Sequence, residues 1–127
     1  MGNMGCDLHS FLEMKFDGKW YFIGTVPNMR RYELFAKLSG VRPEFPNKPF
    51  FFAEKEPPAD CSKALRDDYE HWGSDAHTPT IIYSDDLKNF CKWMGKEPIH
   101  FVNDWVRIMN QALRVAEDAR IILWYDN

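Results

Sequence analysis

The sequence lacks several patterns that would each indicate a class of protein. No apolar run approaches the roughly 18–20 residues that span a membrane, so we expect a soluble protein with no membrane partner. CxxC and HExxH motifs are missing, so nothing indicates a structural zinc site or a zinc-protease helix. Basic residues are not in excess, with 16 Lys+Arg against 19 Asp+Glu, and they are scattered. The charge pattern therefore makes a nucleic-acid polymer an unlikely partner.

Cysteine is also scarce. The three cysteines, Cys6, Cys61 and Cys91, are odd in number and far apart, whereas a secreted disulfide framework is even-numbered and dense. No charged segment followed by an apolar one opens the chain, so no secretory signal is predicted. These features favour a reduced protein of the cytoplasm.

Aromatic residues, in contrast, are plentiful. They make up 16% of the 127 residues, and 45% of all residues are hydrophobic. A chain of this length and composition has enough apolar surface for one core, so we expect a single domain over residues 1–127 and no extensive disorder. Met4 resembles an alternative start, which would make residues 1–3 a short N-terminal extension.

The first part of the chain predicts a β-hairpin. Apolar side chains alternate over residues 4–16, and residues 19–26 form a second strand after Asp17-Gly18, a dipeptide favoured in two-residue hairpin turns. Such a turn pairs residue 16 with 19, 15 with 20, 13 with 22, and 9 with 26.

In the rest of the chain, most apolar residues recur at helical spacing, and glycine and proline residues mark where helices end. A helix is predicted after Asn28 as its N-cap, ending at Gly40. Residues 41–60 contain five prolines and predict a long Pro-rich loop, pinned by Phe50 to Phe52. Three further helices are predicted, one starting at Asp60 or Ser62 and ending at about residue 71, the others over about 84–94 and 98–118, with an extended segment at 80–83. The apolar run 120–126 predicts a central strand beside the first one.

This order predicts an α+β fold. We expect a small antiparallel sheet, made of the N-terminal hairpin and the C-terminal strand, with about four helices mainly on one face.

One face of the first strand carries titratable side chains. Asp7, His9 and Glu13 share the same parity and therefore point to the same side of the strand. If the last strand pairs with the first, Asp126 approaches them as well. Several titratable groups beside aromatic rings form a candidate site, although a solvated sheet edge would show the same pattern.

Two further groups join the candidate list. Trp72, Asp75 and His77 fall in or beside a loop that carries a histidine, an acid and hydroxyls. Arg30, Arg31 and Arg42 bracket the first helix, and arginine forks bind phosphate or carboxylate well, although ordinary surface pairing is the competing interpretation.

Four segments, in order, resemble a family of small bacteriophage proteins. Family members open with Met-Gly-Cys-Asp-Ile-His, matched by residues 4–9. They carry Arg-Asn-Tyr-Asp-Leu-Phe and Leu-Ala-Gly-Val-Arg, matched by 30–35 and 38–42. A Trp-Gly-x-Asp-x-His-Ser segment corresponds to 72–78, and the ending Arg-Ile-Val-Phe-Trp-Phe-Asp-Asn to 120–127.

The resemblance covers nearly the whole chain but departs in the middle. The family's Arg-Gly-Leu-Pro segment is replaced by residues 52–58, FAEKEPP. The resemblance implies a phage-type origin and a host-cytoplasm setting, and it implies no particular reaction.

Three functional hypotheses follow. The first is an accessory protein that captures a small polar or anionic ligand, such as a nucleotide-derived defence signal, through Asp7, His9, Glu13, Arg30, Arg31, Arg42, Trp72, Asp75 and His77. The second is an inhibitor of a host protein that uses the 41–60 loop and Phe50 to Phe52 as an anchor. The third is a hydrolase or phosphodiesterase with His9 and His77 as acid and base and Asp7 as their orienting group. No cofactor or metal is predicted, and a homo-oligomer is left open.

Overall fold

The computed structural model describes residues 5–43, 49–95 and 100–126. In chain order the elements are β1 (Asp7–Phe16), β2 (Lys19–Thr25), α1 (Tyr32–Ser39), α2 (Lys63–Trp72), a 3-10 turn (Gly73–Asp75), β3 (His77–Tyr83), α3 (Ser84–Met94), α4 (His100–Ala112) and β4 (Asp118–Asp126). The predicted extension 1–3, the centre of the Pro-rich loop and the predicted helix start at Pro98 lie outside the described residues.

The four strands form one antiparallel sheet in the order β2-β1-β4-β3. The predicted α+β class is confirmed, and so is the central position of the last strand beside the first. Every residue from Ala119 to Tyr125 is buried, because helices cover both faces of this strand. A fourth strand, β3, extends the predicted segment 80–83 back to His77.

The hairpin has the predicted turn and most of the predicted register. Asp17 and Gly18 both have positive φ, 50° and 78°, as a type I′ turn requires. The pairs 16–19, 15–20 and 13–22 are confirmed, but a bulge at Ile23 shifts the pairing of the residues beyond it by one position. The Val26 backbone N–H consequently donates to the Ser10 carbonyl, and Val26 does not lie opposite His9. The predicted 9–26 pair is therefore wrong.

Three helices cover one face of the sheet, as predicted. The apolar stripes of α1, α3 and α4 pack there against the even-numbered side chains of β1, such as Leu8 and Leu12. Trp105 and Phe35 are fully buried at the centre of this larger cluster. Phe52, Phe90 and Tyr125 are further buried aromatic residues of this cluster.

The fourth helix, α2, covers the opposite face alone. Leu65 is its fully buried apolar side chain, and it packs with Phe11, Ile81, Ile122 and Trp124 in a second, smaller cluster. His9, Phe11 and Glu13, on the odd-numbered side of β1, therefore lie against α2 or its N-cap, whereas Asp7 on the same side is exposed.

The described parts of the Pro-rich segment run along the protein surface between α1 and β3. Backbone bonds hold them at three points, since Phe51 and Phe52 donate to Lys37 and Leu38, and Lys55 donates to Pro79. Phe52 is buried, Phe51 is half-buried and Phe50 is 49% exposed. Of the three phenylalanines predicted as a binding anchor, Phe50 is therefore the exposed one.

Within the described ranges, no helix is both long enough and apolar enough to cross a membrane.

Candidate functional site

Four of the predicted site residues, Asp7, His9, Arg30 and Trp72, meet Asp126 at one end of the central strands. Asp7 lies opposite Asp126 and His9 lies opposite Trp124 in the β1–β4 register. Arg30 approaches from the segment before α1, and Trp72 from the C-terminal end of α2. We call this group, Asp7, His9, Arg30, Trp72 and Asp126, the His9 cluster.

His9 is held by a carboxylate from the neighbouring strand. Its Nε2 lies 2.6 Å from Asp126 Oδ2, while Asp126 Oδ1 accepts a bond from the Asp7 backbone N–H at 3.2 Å. Because a carboxylate oxygen only accepts, His9 Nε2 carries the hydrogen in this contact. The contact orients the ring and leaves Nδ1 as the nitrogen that is free to act.

His9 Nδ1 makes no hydrogen bond with the described part of the chain. The side chain is 21% exposed, and Nδ1 is not among the buried unpartnered atoms. In the neutral ring, Nδ1 therefore offers a lone pair to solvent or to a ligand.

Two indoles flank this imidazole. Trp124 is nearly parallel to it, at a centroid distance of 5.9 Å, and Trp72 is tilted over it at 4.6 Å. Trp124 is fully buried, and its Nε1–H has no partner among the described residues. Trp72 is half-buried, and its Nε1 is neither bonded to a described residue nor buried.

Arginine supplies positive charge beside the cluster. Arg30 donates to Asp7 Oδ1 through Nε and Nη2, at 2.9 and 2.7 Å, and both side chains are about half exposed. The next residue, Arg31, is half-buried, and its guanidinium forms no bond or ion pair with any residue that the structure describes. The Arg31 guanidinium therefore has unused capacity to bind an anion.

Arg42 lies at the same end of the sheet, above the ring of Tyr32 at 5.2 Å from its centroid. The Tyr32 hydroxyl in turn accepts the backbone N–H of Cys6. Burial raises the pKa of the Cys6 thiol, and Arg42, Asp126, Asp7 and Arg30 all act on it electrostatically. Two arginines and two aspartates thus share this end of the molecule.

His77 occupies the other face of the sheet. It pairs with Tyr125 and stacks on that ring at 6.0 Å, whereas His9 stacks on Trp124. Adjacent strand residues point to opposite faces, so the sheet separates the two histidines. This removes the geometric basis for a mechanism that needs both. Asp75, at the end of the 3-10 turn, is exposed and has no side-chain partner among the described residues.

Glu13 lies away from the His9 cluster, in a buried ion pair. Its Oε1 accepts from Arg120 Nε at 2.9 Å, and its Oε2 accepts the backbone N–H of Ser62 at 2.7 Å. Since Ser62 is the N-cap of α2, Glu13 fastens that helix to the sheet. The structure therefore gives Glu13 a structural partner on each oxygen and does not place it with the other candidates.

Arg120 was not anticipated, and it completes this buried network. Its guanidinium also donates to the Tyr83 hydroxyl and to Asp60, and lies 3.8 Å from the ring centroid of Trp20. The side chain is 1% exposed. A charged residue inside an apolar strand was the available signal, because such a charge is buried only when it is paired.

The thiols are poor nucleophiles. Burial raises the pKa of Cys6, Cys61 and Cys91, so each remains protonated near neutral pH. Among the hydrogen bonds of the described residues, none joins a hydroxyl or thiol to His9. The described residues also include no group of three or more His, Cys, Asp or Glu side chains that could hold a metal ion.

Comparisons of the chain with protein-family models, with curated proteins and with solved structures found no significant match. The resemblance to the phage family accordingly stays a prediction, and the functional argument rests on the geometry of the His9 cluster.

Proposed function

We propose that the protein binds a small anionic ligand at the His9 cluster. The observation that carries the proposal is the His9–Asp126 contact of 2.6 Å, which orients an imidazole between two indoles and leaves Nδ1 without a partner among the described residues. The half-exposed Arg30–Asp7 ion pair adjoins it, and the next residue, Arg31, has no side-chain partner in the part of the chain that the structure describes. A pre-oriented ring nitrogen, aromatic surface and guanidinium groups are what an anion with polar substituents requires.

Binding of the ligand without chemical conversion fits this site better than catalysis. His9 has an orienting carboxylate, which a general base needs, but no hydroxyl or thiol of the described residues is bonded to it. Together with the phage-type resemblance, this supports an accessory role in a host cytoplasm, in which the protein sequesters a small anionic molecule used by host defence.

Replacing His9 by alanine is expected to weaken ligand binding about tenfold or more, because one hydrogen bond and one ring contact are lost. Isothermal titration of the full chain would measure this against nucleotides, sugar phosphates, dicarboxylates and inorganic phosphate. The matched control is His71→Ala, since His71 is an exposed histidine of α2. If no anion in the panel binds, or if both variants bind as the wild type does, the proposal is wrong.

A second candidate function is binding of a host protein through exposed aromatics. Trp93 on α3 is 43% exposed and lies 5.6 Å from Phe51, next to the exposed Phe50. Exposed aromatic side chains that adjoin in this way are typical of interface anchors.

For this candidate, the variant Phe50→Ser/Trp93→Ser is expected to lose a captured host protein that the wild type retains. A pulldown from host lysate, followed by titration of the purified partner, would measure the loss. Val115→Ser is the control, because Val115 is 70% exposed at the end of α4. Equal capture by the double variant and the wild type would exclude this surface.

A further inference from the structure

Trp72 has ring surface and an N–H group that its contact with His9 does not occupy. One neighbour of its indole is the His9 ring at 4.6 Å, and the side chain is only half-buried. Its Nε1–H has no partner among the described residues and is not buried. The indole therefore offers both ring surface and one hydrogen-bond donor.

A second, independent observation lies beneath His9. Trp124 is 0% exposed, yet its Nε1–H has no hydrogen-bond partner among the described residues. A buried unpaired donor costs free energy and is uncommon in folded proteins, so it calls for an acceptor. Trp124 and Trp72 both contact His9, so the Trp124 ring belongs to the same group of side chains, while its Nε1–H is buried.

The free polar atoms have a definite chemistry. His9 Nδ1 is an acceptor in the neutral ring, the Trp72 Nε1–H is a donor, and the half-exposed guanidinium of Arg30 donates to anions. A simple anion such as phosphate would use the guanidinium but would leave the ring surface and the Nδ1 acceptor unused. A planar ring that carries both N–H donors and acceptor atoms, joined to an anion, would use all of them.

We propose that the ligand is of the nucleoside monophosphate class, with the base on Trp72 and the phosphate toward Arg30. This inference rests on the proposed function and deepens it. A base stacks on an aromatic side chain whatever its sequence context, and arginine forks match phosphate. The mild negative net charge of −3 favours a free nucleotide over a nucleic-acid strand.

The test compares ligands that differ by the base alone. Isothermal titration of the full chain with AMP, GMP, CMP and UMP is set beside ribose 5-phosphate and inorganic phosphate. At least one nucleotide is expected to bind about tenfold or more tightly than ribose 5-phosphate, which is within the range for stacking of one base. Trp72→Leu is expected to weaken nucleotide binding by a larger factor than ribose 5-phosphate binding, and so to reduce this preference.

Two further variants guard against misfolding. Trp72→Phe keeps a ring and should retain part of the preference, and Trp93→Leu, at a 43% exposed tryptophan of α3, should retain all of it. If ribose 5-phosphate or a dicarboxylate binds as tightly as every nucleotide, the inference fails and the proposed anion site stands. If an oligonucleotide binds far more tightly than any mononucleotide, a nucleic-acid strand replaces the free nucleotide. If no anion binds, both proposals fail.

Discussion

Replacing Glu13 by alanine is expected to lower the free energy of unfolding by about 3–5 kcal/mol, as is usual when one partner of a buried ion pair is removed. Glu13 is 0% exposed, and its two oxygens accept from Arg120 and from the Ser62 N–H. The substitution leaves the Arg120 guanidinium buried without its main counter-charge. It also unfastens the N-terminal end of α2.

Urea denaturation followed by circular dichroism would measure this loss. The control Glu70→Ala changes an exposed glutamate on α2 and should alter stability by no more than about 0.5 kcal/mol. The double variant Glu13→Leu/Arg120→Met removes both charges and should be more stable than Glu13→Ala. A loss below about 1 kcal/mol in Glu13→Ala would show that the pair is as weak as a surface salt bridge.

Replacing Trp105 by alanine is the second large expected effect, again about 3–5 kcal/mol for a buried aromatic side chain. Trp105 is fully buried in the larger core, and its Nε1–H donates to the Pro27 carbonyl at 2.6 Å. Its removal therefore leaves a cavity under α4 and an unpaired carbonyl after β2.

Thermal unfolding of Trp105→Ala would be compared with that of Trp93→Ala, which truncates a 43% exposed indole. Trp105→Phe should have an intermediate stability, since a ring is kept and the hydrogen bond is lost. Equal stability of the two alanine variants would mean that α4 contributes little to the core.

Local patterns predicted the hairpin and the central strand correctly. The Asp17-Gly18 turn needs positive φ at both residues, which that dipeptide tolerates, and an apolar run such as 120–126 is typical of a strand covered on both faces. The bulge at Ile23 was not predicted, although Gly24 beside it is the kind of residue that marks a bulge within a strand. The first helix also begins later than predicted, with Arg31 and not Asn28 as its N-cap.

The start of β3 at His77 was not predicted, because the local sequence there indicates a loop. The backbone is irregular between His77 and Thr80, and Thr78 has a φ of 51° that a β-branched residue rarely adopts. Pro79 follows at once, which makes the segment read as a loop. Tertiary pairing with β4 overrides those local signals.

The candidate site was predictable where residues share a strand and not where they meet across the fold. The parity of Asp7 and His9 on β1 predicts that their side chains share one side of the sheet. The position of Asp126 near them is predicted once β4 is placed beside β1. Arg120 stands out as a charged residue in an apolar strand, but its pairing with Glu13, 107 positions away, depends on the β1–β4 register. Trp124 was assigned to the core on periodicity, which is correct, but its contact with His9 depends on the β1–β4 register.

The unequal coverage of the two sheet faces has a consequence for hydrogen exchange. The larger cluster under α1, α3 and α4 is independent of α2, whose own cluster contains five buried residues, Phe11, Leu65, Ile81, Ile122 and Trp124. Local opening of α2 therefore requires less free energy than global unfolding, and its amides should exchange before those of α4. Because Trp72 ends α2, a ligand held there would be linked to this opening, and its concentration would set the exchange rate of that one helix.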